Sequence, residues 1–181
     1  MQTDKVVVQT KKWIYDVIIG CNFCPFAAPV FKAGSIAYDI VEDATMDEAL
    51  QALFDSFIKL DEEQSTETLF LIFPDSFQSF EKYLLLVELS EALLAKEGYE
   101  GVYQIASFHP QYLFAGSSDN DAENFTNRSP YPMLHLLREE SVSRAVDSFP
   151  GTEKIPQRNI KFAKKKGLLY MQTLRSSCFE A

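Results

Sequence analysis

Two cysteines, two histidines and two arginines of this chain stand where their chemistry could be put to use. Cys21 and Cys24 bracket two residues in CNFCPF (21–26), with Pro25 directly after. His109, in SFHPQYLFAG, and His135, in NRSPYPMLHLLRE, are the chain's two histidines, and Arg128 and Arg138 flank the second. A C-x-x-C pair admits a redox couple, half of a zinc site or one activated thiol. A thioredoxin-like pair follows a strand and opens a helix, whereas this pair follows a predicted helix and Pro29 cuts short any helix that Pro25 starts. A zinc site would draw Cys21 and Cys24 with His109 and His135, but those histidines are distant in sequence rather than a close pair. In the third reading Cys24 alone is a thiolate, with His109 or His135 as its base. Against all three stands an inert buried turn thiol, because cysteine is among the most often buried residue types.

The arginines point to an anion. Placed on a helix from Pro130 or Pro132 to about Phe149, Arg138 falls inside the apolar stripe of Leu134, Val142, Ala145 and Phe149. An unpaired charge there is costly, so either a protein carboxylate or an anionic ligand must meet it. Ser129 would cap that helix with Pro130 at its first position, next to Arg128, which is a setting for anion binding. Pro130 and Pro132 remove two N–H donors, so the side chains of Arg128 and Arg138 would carry the binding.

The elements that must position these residues follow from periodicity. Residues 4 to 19 predict an amphipathic helix stopped by Gly20. SIAYDIV (35–41) is extended, and Thr45 with Glu48 forms a capping box that opens the next helix. TLFLIF (68–73) is an apolar run suited to a strand covered on both faces. A third helix runs through Phe80, Leu84, Val87 and Leu94 to Gly98, and VYQIASF (102–108) is the third strand. The expected fold class is α/β: a small, largely parallel βαβαβ sheet flanked by helices, with further N- and C-terminal helices, all one domain over 1–181. Residues 109 to 129 lack periodicity and predict one long, functional-looking loop at the carboxyl end of a strand, where open α/β sheets bind ligands. A basic helical region follows Pro156 and breaks at Gly167.

Composition narrows the partners. Twenty-six acidic residues against 17 basic ones give a net charge of -9 over 181 residues. That argues against general nucleic-acid binding, which needs surplus Lys and Arg; the island KFAKKK (161–166) reads as a solvated helix face. No signal peptide or membrane-spanning run is expected, so the asparagine of NFT (Asn124) is not read as glycosylated, and a cytoplasmic location is expected. Three cysteines, Cys21, Cys24 and Cys178, suit reduced thiols. No cofactor is indicated, and the oligomeric state is not legible.

The blocks CPFA (24–27), SFHPQYLFAG (107–116) and NRSPYPMLHLLREESVSRAV (127–146) resemble those of the bacterial family named domain of unknown function 1415. The resemblance extends over nearly the whole chain and implies no reaction, cofactor or partner. It does imply that only Cys24 belongs to the first motif, which weakens both paired-cysteine readings. Many members carry lysine where this chain has Ala28.

The first expectation is therefore an enzyme or binding pocket for an anionic small molecule, a carboxylate or phosphate. Cys24, His109 and His135 would be its reacting groups, and Tyr112, Asn127, Arg128, Ser129 and Arg138 would hold the ligand. The alternatives are a non-catalytic protein-interaction domain, whose motifs only pin the long loop, and a Cys/His zinc site.

Overall fold

The computed structural model describes residues 2–180. Its elements are α1 (Gln2–Trp13), continued by π-helical turns (Ile14–Ile19), α2 (Ala27–Ala33), β1 (Ile36–Ile40), α3 (Met46–Glu62), β2 (Thr68–Ile72), α4 (Phe80–Lys96) and β3 (Tyr103–Phe108). After these come a 3-10 turn (Ala122–Thr126), β4 (Met133–Arg138), α5 (Glu139–Ser148), α6 (Ile155–Lys166) and α7 (Leu168–Ser176), with short 3-10 turns before α6 and after α7.

The four strands form one mixed sheet in the order β1-β2-β4-β3. β1 and β2 pair in parallel, while β4 is antiparallel to both β2 and β3. The α/β class stands, but the largely parallel sheet does not: β1, β2 and β3 share one direction, and β4 is inserted antiparallel between β2 and β3. The expected helix from Pro130 or Pro132 to Phe149 is therefore a strand followed by a shorter helix. Two forces select the strand. Residues before proline are driven out of the helical region, which disfavours a helix through Ser129 and Tyr131. The slot between β2 and β3 then buries both faces of the run, with Met133, Leu134 and Leu136 fully enclosed. Tertiary burial overrides the helix preference of Met and Leu.

Helices cover both faces, as the continuous apolar run of β2 requires. Leu69 and Leu71 of β2 and Leu134 and Leu136 of β4 point to one side, where Leu53, Phe57 and Leu60 of α3 meet Tyr83, Leu86 and Leu94 of α4. Phe70 and Ile72, with Met133, point to the other side, against Val6, Trp13, Ile14, Val17 and Ile18, Ala163 of α6 and Met171 of α7. The capping box of Thr45 and Glu48 is complete at the start of α3. No helix among the described residues is long and apolar enough to cross a membrane.

Two local features lie close to the cysteine motif. Gly20 ends the π-helical turns in right-handed geometry, so it is not a left-handed stop; a Cβ there would lie 2.2 Å from the Asp16 carbonyl oxygen. Glycine is required by close approach of the backbone. Pro29 does not abolish a helix after the motif, because it sits in the first turn of α2, where no N–H is needed.

Candidate functional site

The connection from β3 to β4, residues 109–132, lies beyond the carboxyl ends of β1, β2 and β3. It is not a featureless loop. Its 3-10 turn buries Ala122, Asn124, Phe125 and Thr126. Asn124 is fully enclosed and organises the segment: its Oδ1 accepts from the Phe114 amide (3.1 Å) and the Ser117 hydroxyl (2.8 Å), and its Nδ2 donates to Ser118 O (2.7 Å). In the sequence Asn124 stands out only as a sequon match; its other signal is its place in a stretch rich in Asn, Asp and Ser, residues that favour side-chain-to-backbone bonding.

A half-open cleft of about 330 Å³ forms where this connection meets the π-helical turns, the cysteine motif and α6. Its walls are largely apolar, including Ile18, Phe23, Phe108, Phe114 and Ile160, and its polar groups come from Cys24, Thr126, Asn127 and Asn159. That mixture and size match small-molecule sites, which run from about 300 to 1,000 Å³. Asn159 is set by a bond from its Nδ2 to Phe23 O (2.7 Å). Asn127 is held more loosely, with Nδ2 3.4 Å from Ser107 O and Oδ1 accepting from the Thr126 hydroxyl at 3.1 Å. Arg158 binds Asn22 O and, at 3.2 Å, Asn159 Oδ1, which sets its charge beside the cleft.

Cys24 is half-buried, and its pKa is raised, mainly by desolvation; the Phe26 and Ala27 amides and the Arg158 charge act in the opposite sense but do not prevail. A thiol so placed is held protonated at neutral pH, contrary to an activated nucleophile. Cys21 is buried in the core, again with a raised pKa from desolvation. All three cysteines are free thiols. Among the described residues, no three His, Cys, Asp or Glu side chains are grouped to hold a metal ion.

The two histidines occupy different layers. His109 is fully buried on the α3–α4 side, its ring between Phe80 (5.2 Å) and Tyr83 (4.8 Å). Its Nδ1 accepts the Gln111 amide at 3.0 Å, so Nε2 carries the proton and donates to Phe77 O at 2.9 Å. Both nitrogens are committed, and desolvation lowers its pKa. Cys24 packs on the opposite face of the sheet, so the two do not form a nucleophile and base. His135 lies in mid-strand on the Cys24 face, stacked on Phe70 at 3.9 Å, and does not line the cleft. The Thr68 hydroxyl donates to Leu136 O at 2.5 Å, so the 2.6 Å contact with His135 is an Nε2–H donation to Thr68. Desolvation lowers the His135 pKa to about 3.

The expected anion-binding groups are divided as well. Arg138 closes β4 at the far end of the sheet rather than lying in a helical stripe. Its main partners among the described residues are backbone carbonyls at and just beyond the carboxyl end of α3 rather than a carboxylate. Nε donates to Thr66 O (3.2 Å), and NH2 donates to Leu60 O (2.5 Å), Thr66 O (3.1 Å) and Glu63 O (3.3 Å). A cation at a helix C-terminus satisfies orphan carbonyls and the helix dipole together. Ser129 is not a helix cap; it is fully buried, and its hydroxyl donates to Tyr131 O at 2.5 Å. Tyr112 contributes its carbonyl, which accepts Arg128 Nε at 3.0 Å. Of the eight sequence-derived candidates, Cys24 and Asn127 share the cleft. The sequence reading missed Arg158 and Asn159, which lie on α6 and acquire meaning only because α6 packs against residues 122–126.

A family model described as protein of unknown function (DUF1415) matches residues 5–173. No curated protein and no solved structure matches the chain.

Proposed function

This chain belongs to the DUF1415 family of proteins of unknown function, and we propose that it binds a small, largely apolar molecule with an anionic end in the cleft beside Cys24. The observation that carries this reading is the cleft itself, at the carboxyl ends of the parallel-running strands, where apolar walls surround a few convergent polar groups. The apolar body of the ligand would lie between Phe108, Phe114 and Ile160. Its carboxylate would face Arg158 and the amide of Asn127, whose long hydrogen bond to Ser107 leaves it free to turn to a ligand. Cys24 takes part as a neutral wall group and weak donor, not as a thiolate.

The test uses Cys24 as the reporter. Carboxylates with alkyl or aryl bodies, added singly, are expected to protect Cys24 from alkylation, and Arg158→Gln is expected to weaken that protection. A panel that protects nothing, or protection by uncharged analogues equal to that by the acids, overturns the reading.

A second reading is favoured by the internal pairing of the motifs: the domain is non-catalytic, and His109, Arg128 and Ser129 serve only to pin the connection between β3 and β4. It accounts for the committed nitrogens of His109 and the carbonyl-bound arginines. It leaves the cleft without a ligand, so the protection experiment separates the two.

A further inference from the structure

Arg128 and Arg175 are the least explained charges in the molecule. The chain carries 26 acidic side chains, yet these two cations have almost none for company. Arg128 is withdrawn from solvent, its side chain only 11% exposed, with the guanidinium over the Phe125 ring at 4.9 Å. Its Nε donates to Tyr112 O at 3.0 Å. Arg175, on α7, donates Nε at 3.0 Å to the carbonyl of Ser129, the residue that follows Arg128. Both guanidinium groups are thus tethered through Nε to one connection, and among the described residues their NH1 and NH2 ends make no hydrogen bond. Among the described residues the one carboxylate within 4 Å of either is Asp119, 3.7 Å from Arg128 and 85% exposed.

This arrangement is unfavourable on its own terms. Two desolvated cations, Arg128 and the Arg175 that α7 brings to the neighbouring Ser129 carbonyl, repel each other, and a charge withdrawn from water with little counter-charge costs free energy. Desolvation and then the charge of Arg128 lower the pKa of Arg175. Desolvation also lowers that of Arg128, with Asp119 a weaker opposing influence. The Arg175 charge further disfavours protonation of His109, so the local field is positive beyond the pair itself. A pair of cations with little counter-charge in an acidic protein matches a bound anion, and paired guanidinium forks are the side-chain arrangement best suited to phosphate or carboxylate oxygens.

We propose that Arg128 and Arg175 together hold a small oxyanion, a phosphate or carboxylate group, between their free guanidinium ends. The site is separate from the cleft: Asn127 turns into the cleft, while Arg128, next in the chain, lies over Phe125 away from it. Asp119 acts as an exposed, replaceable counter-ion when the site is empty.

The test is a titration of the wild-type protein with sodium phosphate, and in parallel with sodium acetate, against sodium chloride at equal ionic strength. It is followed by the NMR signals of the Arg128 and Arg175 Nε–H groups. Saturating shifts of both signals with phosphate or acetate, absent with chloride, are expected, and the tighter of the two anions identifies the ligand group. Arg175→Gln is expected to weaken binding at least about tenfold, and Arg175→Lys less than that. Shifts that follow chloride, or an affinity unchanged in Arg175→Gln, overturn the proposal. If Arg175→Gln does not fold, the wild-type titration and Arg175→Lys decide the matter: saturation at both signals, weakened by lysine, supports the site, and its lack overturns it.

Discussion

The His109 ring donates its Nε2 proton to the Phe77 carbonyl at 2.9 Å, tying the end of β3 to the turn that follows β2. Phe77 is buried with φ +56, a conformation that costs free energy for a bulky residue and persists only where surrounding contacts impose it. With Gln111 on the other nitrogen, one neutral imidazole holds two connections. His109→Ala is therefore expected to leave Phe77 O and Gln111 N unpaired and to cost about 2–4 kcal/mol. Urea unfolding at neutral pH measures it, and a loss below about 1 kcal/mol would contradict the pinning role.

Stability should fall in acid, in part through His135. Its folded pKa of about 3 lies below the ordinary value of 6.5. The group is thus stabilising above about pH 6.5, and that contribution is lost as pH falls toward 3. Its share of the slope reaches at most about 1.4 kcal/mol per pH unit. Urea midpoints at pH 7.5 and pH 5, compared between wild type and His135→Phe, should differ less in the variant. An equal pH dependence in both would refute the assignment.

The thiol of Cys24 should be slow. With its pKa raised by desolvation, alkylation by iodoacetamide at pH 7 is expected to be slower than for a free cysteine and to quicken as pH rises past 9. Mass spectrometry of the labelled peptides reads this directly. Cys24, half-buried, should react before the buried Cys21 and Cys178. Rapid, pH-independent labelling of Cys24 near neutrality would show a thiolate and restore a nucleophilic role.

Arg138 has a structural task far from the cleft. Arg138→Met removes the guanidinium that binds Leu60, Glu63 and Thr66 carbonyls. A cost of about 2–3 kcal/mol is expected, with the rate of Cys24 alkylation unchanged. A changed alkylation rate would link the two ends of β4 in a way that the geometry does not.

Gly20→Ala drives a methyl group into the Asp16 carbonyl. Relief requires the π-helical turns to shift, and Ile18 at their end lines the cleft. We expect a cost of about 1–3 kcal/mol together with faster labelling of Cys24. An alanine variant as stable as wild type, with unchanged labelling, would show that the turns can relax elsewhere.

Much of the scaffold was legible because its cues are local. The capping box at Thr45, the apolar run 68–73 and the break at Gly167 each act within a few residues, and each appears where expected. The segment 130–149 was misread because its apolar spacing fits a helix and only the slot between β2 and β3 makes Met133–Arg138 a strand. The candidate residues are separated by the same step. Once β4 is a strand, Arg138 and Ser129 lie at opposite ends of it, and His135 stays within the sheet.

The sequence by itself determined the kinds of groups present, the order of most elements and the placing of a polar connection at the carboxyl end of the sheet. Periodicity and capping are short-range physics, and they need no partner from elsewhere in the chain. Only the tertiary structure decided that Cys24 faces Asn127 and Asn159, that His109 turns to the other face, and that Arg175 comes to Ser129 beside Arg128. Those meetings depend on which face of the sheet each segment covers. That is set by long-range burial of apolar surface, which no spacing along the chain encodes.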